Sequence, residues 1–198
     1  NTRLLALDVD HESIDYLKGQ NWAKDLNFRH SDFLKDCESI LSEGKRWGII
    51  GNYPYNISTE IVFKAIEHRD KVSWFGGMFQ KEVAVRLTAP HGNKDYGITS
   101  VLLQAYFDCE YLFSVDENAF NPPPKVKSGV IACRIKSDLP ECTYKNLRLL
   151  VKTAFGQRRK TLGNALKPIK QLLPELPAGI TGARAEQRDL AVADGARF

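Results

Sequence analysis

"RWGIIGNYPYNISTEIVFKAIEHRDKVSWFGGMFQ", residues 46–80, decides the fold. Its first seven residues are an apolar run of strand length that ends on a polar residue. "STEIVFKAIEHRD" then spaces its apolar residues for a helix, behind a Ser-Thr start that can cap the free amides. "VSWFGGMFQ" reads as the next strand, so strand and helix alternate.

The same alternation extends outward from this stretch. Upstream, "RLLALDVD" (3–10) is a strand, "HESIDYLKG" a helix and "NFRHSDF" (27–33) contains a strand. Downstream come a helix at "KEVAVRLTA", a polar loop "PHGNKDYG" and a helix at "ITSVLLQAYFD" (98–108). "EYLFSVDENAF" and "SGVIACRIK" are strand-like and flank "NPPPKVK", whose prolines exclude regular structure, so they predict an antiparallel hairpin appended to a parallel sheet. The class is α/β, a doubly wound sheet whose ligands bind beyond the carboxyl ends of the strands. After Lys136 the pattern becomes helix only, beginning at "TYKNLRLLVKTAFGQRRKTLGNAL". The expected boundary near Ser137 to Thr143 separates a sheet domain, 1–138, from a small all-helical domain, 139–198.

Composition bounds the function. A chain of 198 residues with 43% hydrophobic content can bury a sizeable core. It has no run of about 18 uncharged apolar residues and no basic-then-apolar start, so the cytoplasm is the expected compartment, with no membrane partner. Cys37, Cys109, Cys133 and Cys142 show no C-x-x-C spacing and no histidines cluster with them, which predicts reduced thiols and no metal site. Charge is uneven: residues 145–198 hold 11 Lys or Arg against 4 Asp or Glu, whereas residues 1–144 hold 17 against 20. A basic tail end suits a polyanion such as nucleic acid, the alternative being a solvated helical face.

The strand ends carry the candidate chemistry. Asp8 closes the first strand, where an acid accepts hydrogen bonds from ribose hydroxyls, although Asp8 and Asp10 can equally cap the following helix. After the next strand, Asp32 can accept from an adenine amino group with Phe33 packed on the ring, or cap a helix. The third strand ends in "NYPY". An exocyclic amine on a base is a poor nucleophile because its lone pair is delocalised, so an enzyme needs acceptors that hold both N–H groups and align that lone pair. Asn52 Oδ1 and the Pro54 carbonyl supply such a pair, proline fixing φ and removing a competing N–H. Tyr55 offers a face to an unstacked base, a contact worth about 1–3 kcal/mol. The structural alternative is a tight turn with two exposed tyrosines.

"GNYPYNIS", "FQKEVAVRL", "KDYGITSVLLQ", "FNPPPKVKSGV" and "AFGQRRKTL", in this order through nearly the whole chain, closely resemble the KsgA/RsmA family of ribosomal RNA adenine dimethyltransferases. Tyr53 stands where the family's motif has Leu, at a position whose side chain is not expected to touch the amine. The resemblance implies a Rossmann-like class I methyltransferase sheet plus a helical RNA-binding domain. It also implies transfer of methyl groups from S-adenosylmethionine to N6 of two adjacent adenosines near the 3′ end of small-subunit (16S) ribosomal RNA. By the same carry-over Asp8 binds the cofactor ribose, Val9 packs on its adenine and Asp32, beside Phe33, binds the adenine amino group. Asn52 and Pro54 orient the target N6 next to the cofactor, and Tyr55 stacks on the target base. Phe120 is either a second ring for that base or a core aromatic. Lys125, Lys127, Arg158, Arg159 and Lys160 look like phosphate contacts, against the alternative of a solvated face.

The family begins with a segment carrying a glycine-rich turn, whereas this chain starts at Asn1 beyond that turn; the expectation is that the gene product has the segment. "ARAEQRDLAVADGARF" resembles the family's closing helix only in part, and no role attaches beyond Arg188. No heptad or large apolar stripe remains unassigned, which predicts a monomer. Two rivals stand beside this reading, a noncatalytic small-subunit assembly factor and an Erm-like methyltransferase acting on 23S RNA.

Overall fold

A computed structural model describes residues 3–44, 46–172, 181–188 and 190. The chain divides into two compact units, Asn1–Arg46 and Trp47–Phe198.

In the first unit, β1 (Leu5–Asp8) pairs in parallel with β2 (Asn27–His30), Asp8 opposite His30. The chain between them forms α1 (His11–Lys18) and a short 3-10 turn, and α2 (Phe33–Ser42) follows β2. α1 starts where it does because the Asp10 carboxylate accepts from the Glu12 and Ser13 amides at 3.2 and 3.1 Å. α2 buries Cys37, Ile40 and Leu41, a helical spacing that makes one apolar face.

The second unit contains β3 (Trp47–Asn52), α3 (Ser58–Glu67), β4 (Val72–Gln80), α4 (Lys81–Thr88) and α5 (Ile98–Gln104). β5 (Phe107–Val115) and β6 (Ser128–Ile135) complete a sheet of order β3-β4-β6-β5. β3 and β4 are parallel, and β6 enters antiparallel between β4 and β5. The predicted hairpin therefore joins the parallel pair through its second strand. α6 (Tyr144–Gly156) and α7 (Leu162–Ala165) follow, with short 3-10 turns at Lys167–Leu172 and Ala185–Gln187. α6 buries Leu147, Leu150, Val151 and Ala154, one stripe at helical spacing.

Two expectations change in detail. The run 98–108 leaves the helix at Gln104, and Phe107, fully buried opposite Ile135, already belongs to β5. Ser58 and Thr59 do not cap α3: Ile57 is the N-cap, with no side-chain bond, and the Ser58 hydroxyl is used elsewhere. The division by compactness falls at Arg46/Trp47, and the compositional change near Ser137–Thr143 lies inside the second unit. Residues 173–180, 189 and 191–198 of the expected helical domain lie outside the described residues. No helix among the described residues is long and apolar enough to cross a membrane.

Candidate active site

In the first unit both acids follow strand ends. Asp8 is exposed at the end of β1; its Oδ1 accepts from the Asp10 amide at 2.9 Å, and its carbonyl accepts from the Ser31 amide at 2.9 Å. Asp10, not Asp8, caps α1, which separates two roles that the sequence left open. Val9 is 66% exposed despite being apolar, and His30 Nε2 lies 2.9 Å from its carbonyl oxygen. Asp32 does cap α2: Oδ1 accepts from the Leu34 amide at 3.0 Å and Oδ2 lies 3.2 Å from Lys35 Nζ. The Lys35 ammonium and that cap hold its carboxyl below the ordinary carboxylate range. Phe33, the first residue of α2, is half-buried.

The "NYPY" stretch sorts its residues between solvent and core. Asn52, the last residue of β3, and Pro54 are exposed. Between them Tyr53 turns inward and is 7% exposed, which removes the alternative of a turn with two exposed tyrosines. Its ring stacks near Phe75 and tilts against Phe79, centroids 5.7 and 5.0 Å away, and its hydroxyl donates to the Gly76 carbonyl at 2.7 Å. Burial pushes this phenol far above its usual range, so it stays a neutral donor. The ring has room because its neighbours lack side chains: a Cβ on Gly51 would lie 2.7 Å from Tyr53 Cε1. Gly77, at φ +143°, would place a Cβ 2.8 Å from Tyr53 Cε2 and 2.1 Å from the Gly51 carbonyl oxygen.

Anchoring Tyr53 sets the pitch of its neighbours. The Pro54 carbonyl accepts from the Ile57 amide at 3.1 Å, closing a turn into α3, and its second lone pair is left for another donor. Tyr55 is half-buried, with its hydroxyl 2.6 Å from Ser128 Oγ and its carbonyl accepting from Ser58 Oγ at 3.2 Å. An exposed amide, a proline carbonyl and a fixed aromatic face thus stand together at one strand end. That set can hold and stack a planar amine-bearing ring.

The expected RNA-facing residues fall into two groups. Phe120 is half-buried after the 3-10 turn Glu117–Ala119. Lys125 is exposed, as are Arg159 and Lys160, and no ion pair involves these three among the described residues. Lys127 is instead tied to Asp116 at 2.9 Å, which lowers the Asp116 carboxyl and closes the β5–β6 connection. Arg158 pairs with Glu186 and donates to the Lys94 carbonyl at 3.0 Å, fastening the end of α6 to two loops. Sequence reading missed Ser128 and Glu186. Ser128 was findable as the one polar residue opening the apolar run "SGVIAC"; Glu186 had no local signal, its partner being 28 residues away.

The geometry defines an α/β protein with exposed polar groups and a tethered aromatic ring at one strand end, and comparison assigns the family. A family model described as ribosomal RNA adenine dimethylase matches residues 21–175. The ribosomal RNA small subunit methyltransferase A of Flavobacterium johnsoniae is 52% identical over 172 residues, 85% of this chain and 64% of that protein. Its counterpart from Cytophaga hutchinsonii is 50% identical over 184 residues, 91% of this chain and 70% of that protein. A crystal structure of a dimethyladenosine transferase from Plasmodium falciparum shares the fold, with TM-score 0.78 at 21% identity over 96% of this chain and 79% of that one. So does the 23S rRNA methyltransferase ErmE, with TM-score 0.72 at 18% identity over 96% of this chain and 78% of that one. The chain belongs to the ribosomal RNA adenine dimethylase family. It spans just under two thirds of the Flavobacterium relative's length.

Proposed function

We propose that this chain carries the base-holding part of an S-adenosylmethionine-dependent methyltransferase that dimethylates N6 of two adjacent adenosines near the 3′ end of 16S ribosomal RNA. The observation that carries the reading is the "NYPY" strand end, where Asn52 and Pro54 face solvent while Tyr53 is packed and Tyr55 is pinned. The small-subunit assignment leans on the roughly half-identical relatives named for that subunit.

The residues of the first unit fit the cofactor. The exposed Asp8 carboxylate has acceptor capacity beyond its bond from Asp10, enough for two ribose hydroxyls, and exposed Val9 offers an apolar face for an adenine. Asp32 reaches the adenine amino group with lone pairs left over from its cap, and Phe33 flanks the ring. When bound, S-adenosylmethionine supplies a methyl carbon activated by a positively charged sulfur. The protein's task is then proximity, alignment and acceptors that strengthen as positive charge builds on N6. Asn52 Oδ1 and the Pro54 carbonyl take the two N–H groups of the target amine. Tyr55 stacks on the base once it is turned out of its helix, with Phe120 as a second ring. No strong general base is required, because the proton leaves after transfer from an acidic ammonium.

Lys125, Arg159 and Lys160 contact phosphates, and Lys127 and Arg158 do so only by sharing with their carboxylate partners. The protein acts as a monomer on the small subunit in the cytoplasm.

The test is mass spectrometry of 16S RNA from unmethylated small subunits incubated with the complete gene product and S-adenosylmethionine. Dimethyladenosine at two adjacent positions near the 3′ end is expected, and Asn52→Ala abolishes it while particle binding persists. Binding without methylation by the unaltered protein would leave an assembly factor, and methyl groups on 23S RNA instead would mark an Erm-like enzyme.

A further inference from the structure

We infer that Ser128 is the positioning residue for the Tyr55 ring, locking the platform on which the target base rests; this rests on the methyltransferase reading. Ser128 opens β6, opposite Gln80 on β4 and Val115 on β5, and is fully buried. A buried hydroxyl costs stability unless it is hydrogen-bonded, and the partner here is the Tyr55 hydroxyl at 2.6 Å. At the other end of the same residue, the Tyr55 carbonyl accepts from Ser58 Oγ, and Ser58 is also fully buried. Tyr55 is therefore fastened at its backbone by α3 and at the tip of its ring by β6.

The geometry matters because Tyr55 is only half-buried, so packing alone does not hold it. An aromatic ring in contact with solvent on one side swings about χ1 and χ2 unless its far end is tied. Fixing the hydroxyl to a strand leaves the ring one orientation, and Ser58 fixes where that ring begins. Methyl transfer needs the amine lone pair aligned with the incoming carbon, and small misplacements of a bound ring are costly in rate. Ser128 touches neither base nor cofactor in this account; it acts through Tyr55. It also stands at the end of the "NPPPKVK" connection, so the segment carrying Phe120 and Lys125 is joined to "NYPY" through this bond.

The test combines transfer kinetics with a direct view of the ring, using the complete gene product. Ser128→Ala should lower the single-turnover rate about tenfold with the half-saturating S-adenosylmethionine concentration unchanged, and Ser128→Thr should return most of it. Because both groups serve one bond, Ser128→Ala combined with Tyr55→Phe should be no slower than the slower single variant. Independently of activity, protein labelled with 3-fluorotyrosine should give a narrow Tyr55 fluorine resonance, identified by its absence in Tyr55→Phe. It should broaden or split in Ser128→Ala and stay narrow in Ser128→Thr. If circular dichroism shows that Ser128→Ala does not fold, Ser128→Cys replaces it, with a similar volume and a weak hydrogen bond. A Tyr55 resonance unmoved by loss of the serine hydroxyl, or rate losses that multiply in the double variant, overturns the inference. If the unaltered protein methylates no RNA, the methyltransferase reading fails by that result, and the fluorine spectra still decide whether Ser128 holds the ring.

Discussion

After β1 and β2, in the Asn1–Arg46 unit, side chains are fixed by turns and caps: Asp8 by the Asp10 amide, Asp32 by the Leu34 amide and Lys35. After β3, in the second unit, they are fixed from below, by a buried tyrosine between Phe75 and Phe79 and by two buried serines. The first arrangement uses local, solvent-exposed electrostatics, leaves Val9 exposed and buries a small set, Ile14, Ala23, Cys37, Ile40 and Leu41. The second is built into the main apolar core. The difference teaches that the proposed base-holding strand end should fail globally when disturbed, whereas the proposed cofactor end should fail residue by residue.

The strongest challenge to that contrast is Gly77→Ala. A methyl there would need to lie 2.1 Å from the Gly51 carbonyl oxygen, at φ +143°, with no flexible side chain to give way. Strain and overpacking together should cost at least about 3 kcal/mol. Urea unfolding should show the loss across the whole second unit, and a loss confined to methylation would contradict packing from below. Next is Tyr53→Phe, which keeps the ring but removes the donor to Gly76, and it should cost about 1–2 kcal/mol with a lowered melting temperature. A neutral result would mean that the ring alone sets the pitch of Pro54 and Tyr55.

A smaller effect separates neighbouring arginines. Arg158→Ala should lose roughly 1 kcal/mol of stability, because its partners Glu186 and Lys94 bind it into the fold. Arg159→Ala should leave stability nearly unchanged and reduce the salt dependence of RNA binding by a log–log slope of roughly 0.7. Equal salt effects from both would show that Arg158 leaves Glu186 to reach phosphate.

How far the sequence was legible follows from the same contrast. Strands β1 to β4 and helices α1, α3 and α4 follow from periodicity because each apolar run is bounded by polar residues; α2 was not read as a helix, and the run 98–108 misled because a buried helix end and a buried strand start read alike. Asn52, Pro54 and Tyr55 stood out as candidates because polar and aromatic residues clustered at a strand end have little use in a core. The inward turn of Tyr53 depends on Gly76 and Gly77, more than 20 residues later, and Ser128 depends on a partner 73 residues earlier, so no local pattern reveals either. Lys127 and Arg158 read as free cations because acids that are distant in sequence neutralise them in space.

The smallest expected effect tests the other side of the contrast, the capped strand ends. Hydrogen bonding from Ser13 lowers the Asp10 carboxyl below its ordinary value of 3.8, and hydrogen bonding with Lys35 does the same for Asp32. Each folded value lies below the unfolded one, so the caps contribute fully at pH above 3.8 and that contribution is lost as pH falls through the lower folded value. In an acid titration followed by amide resonances, Ser13 and Leu34, which receive these caps, should shift with midpoints below 3.8, while the Tyr53 amide, bonded to Met78, does not move in step. Asp10→Asn keeps an acceptor for Ser13 and should remove its titration without unfolding α1. Midpoints at or above 3.8 would show that the caps do not favour the charged form. The two strand ends would then differ in burial but not in how charge holds them.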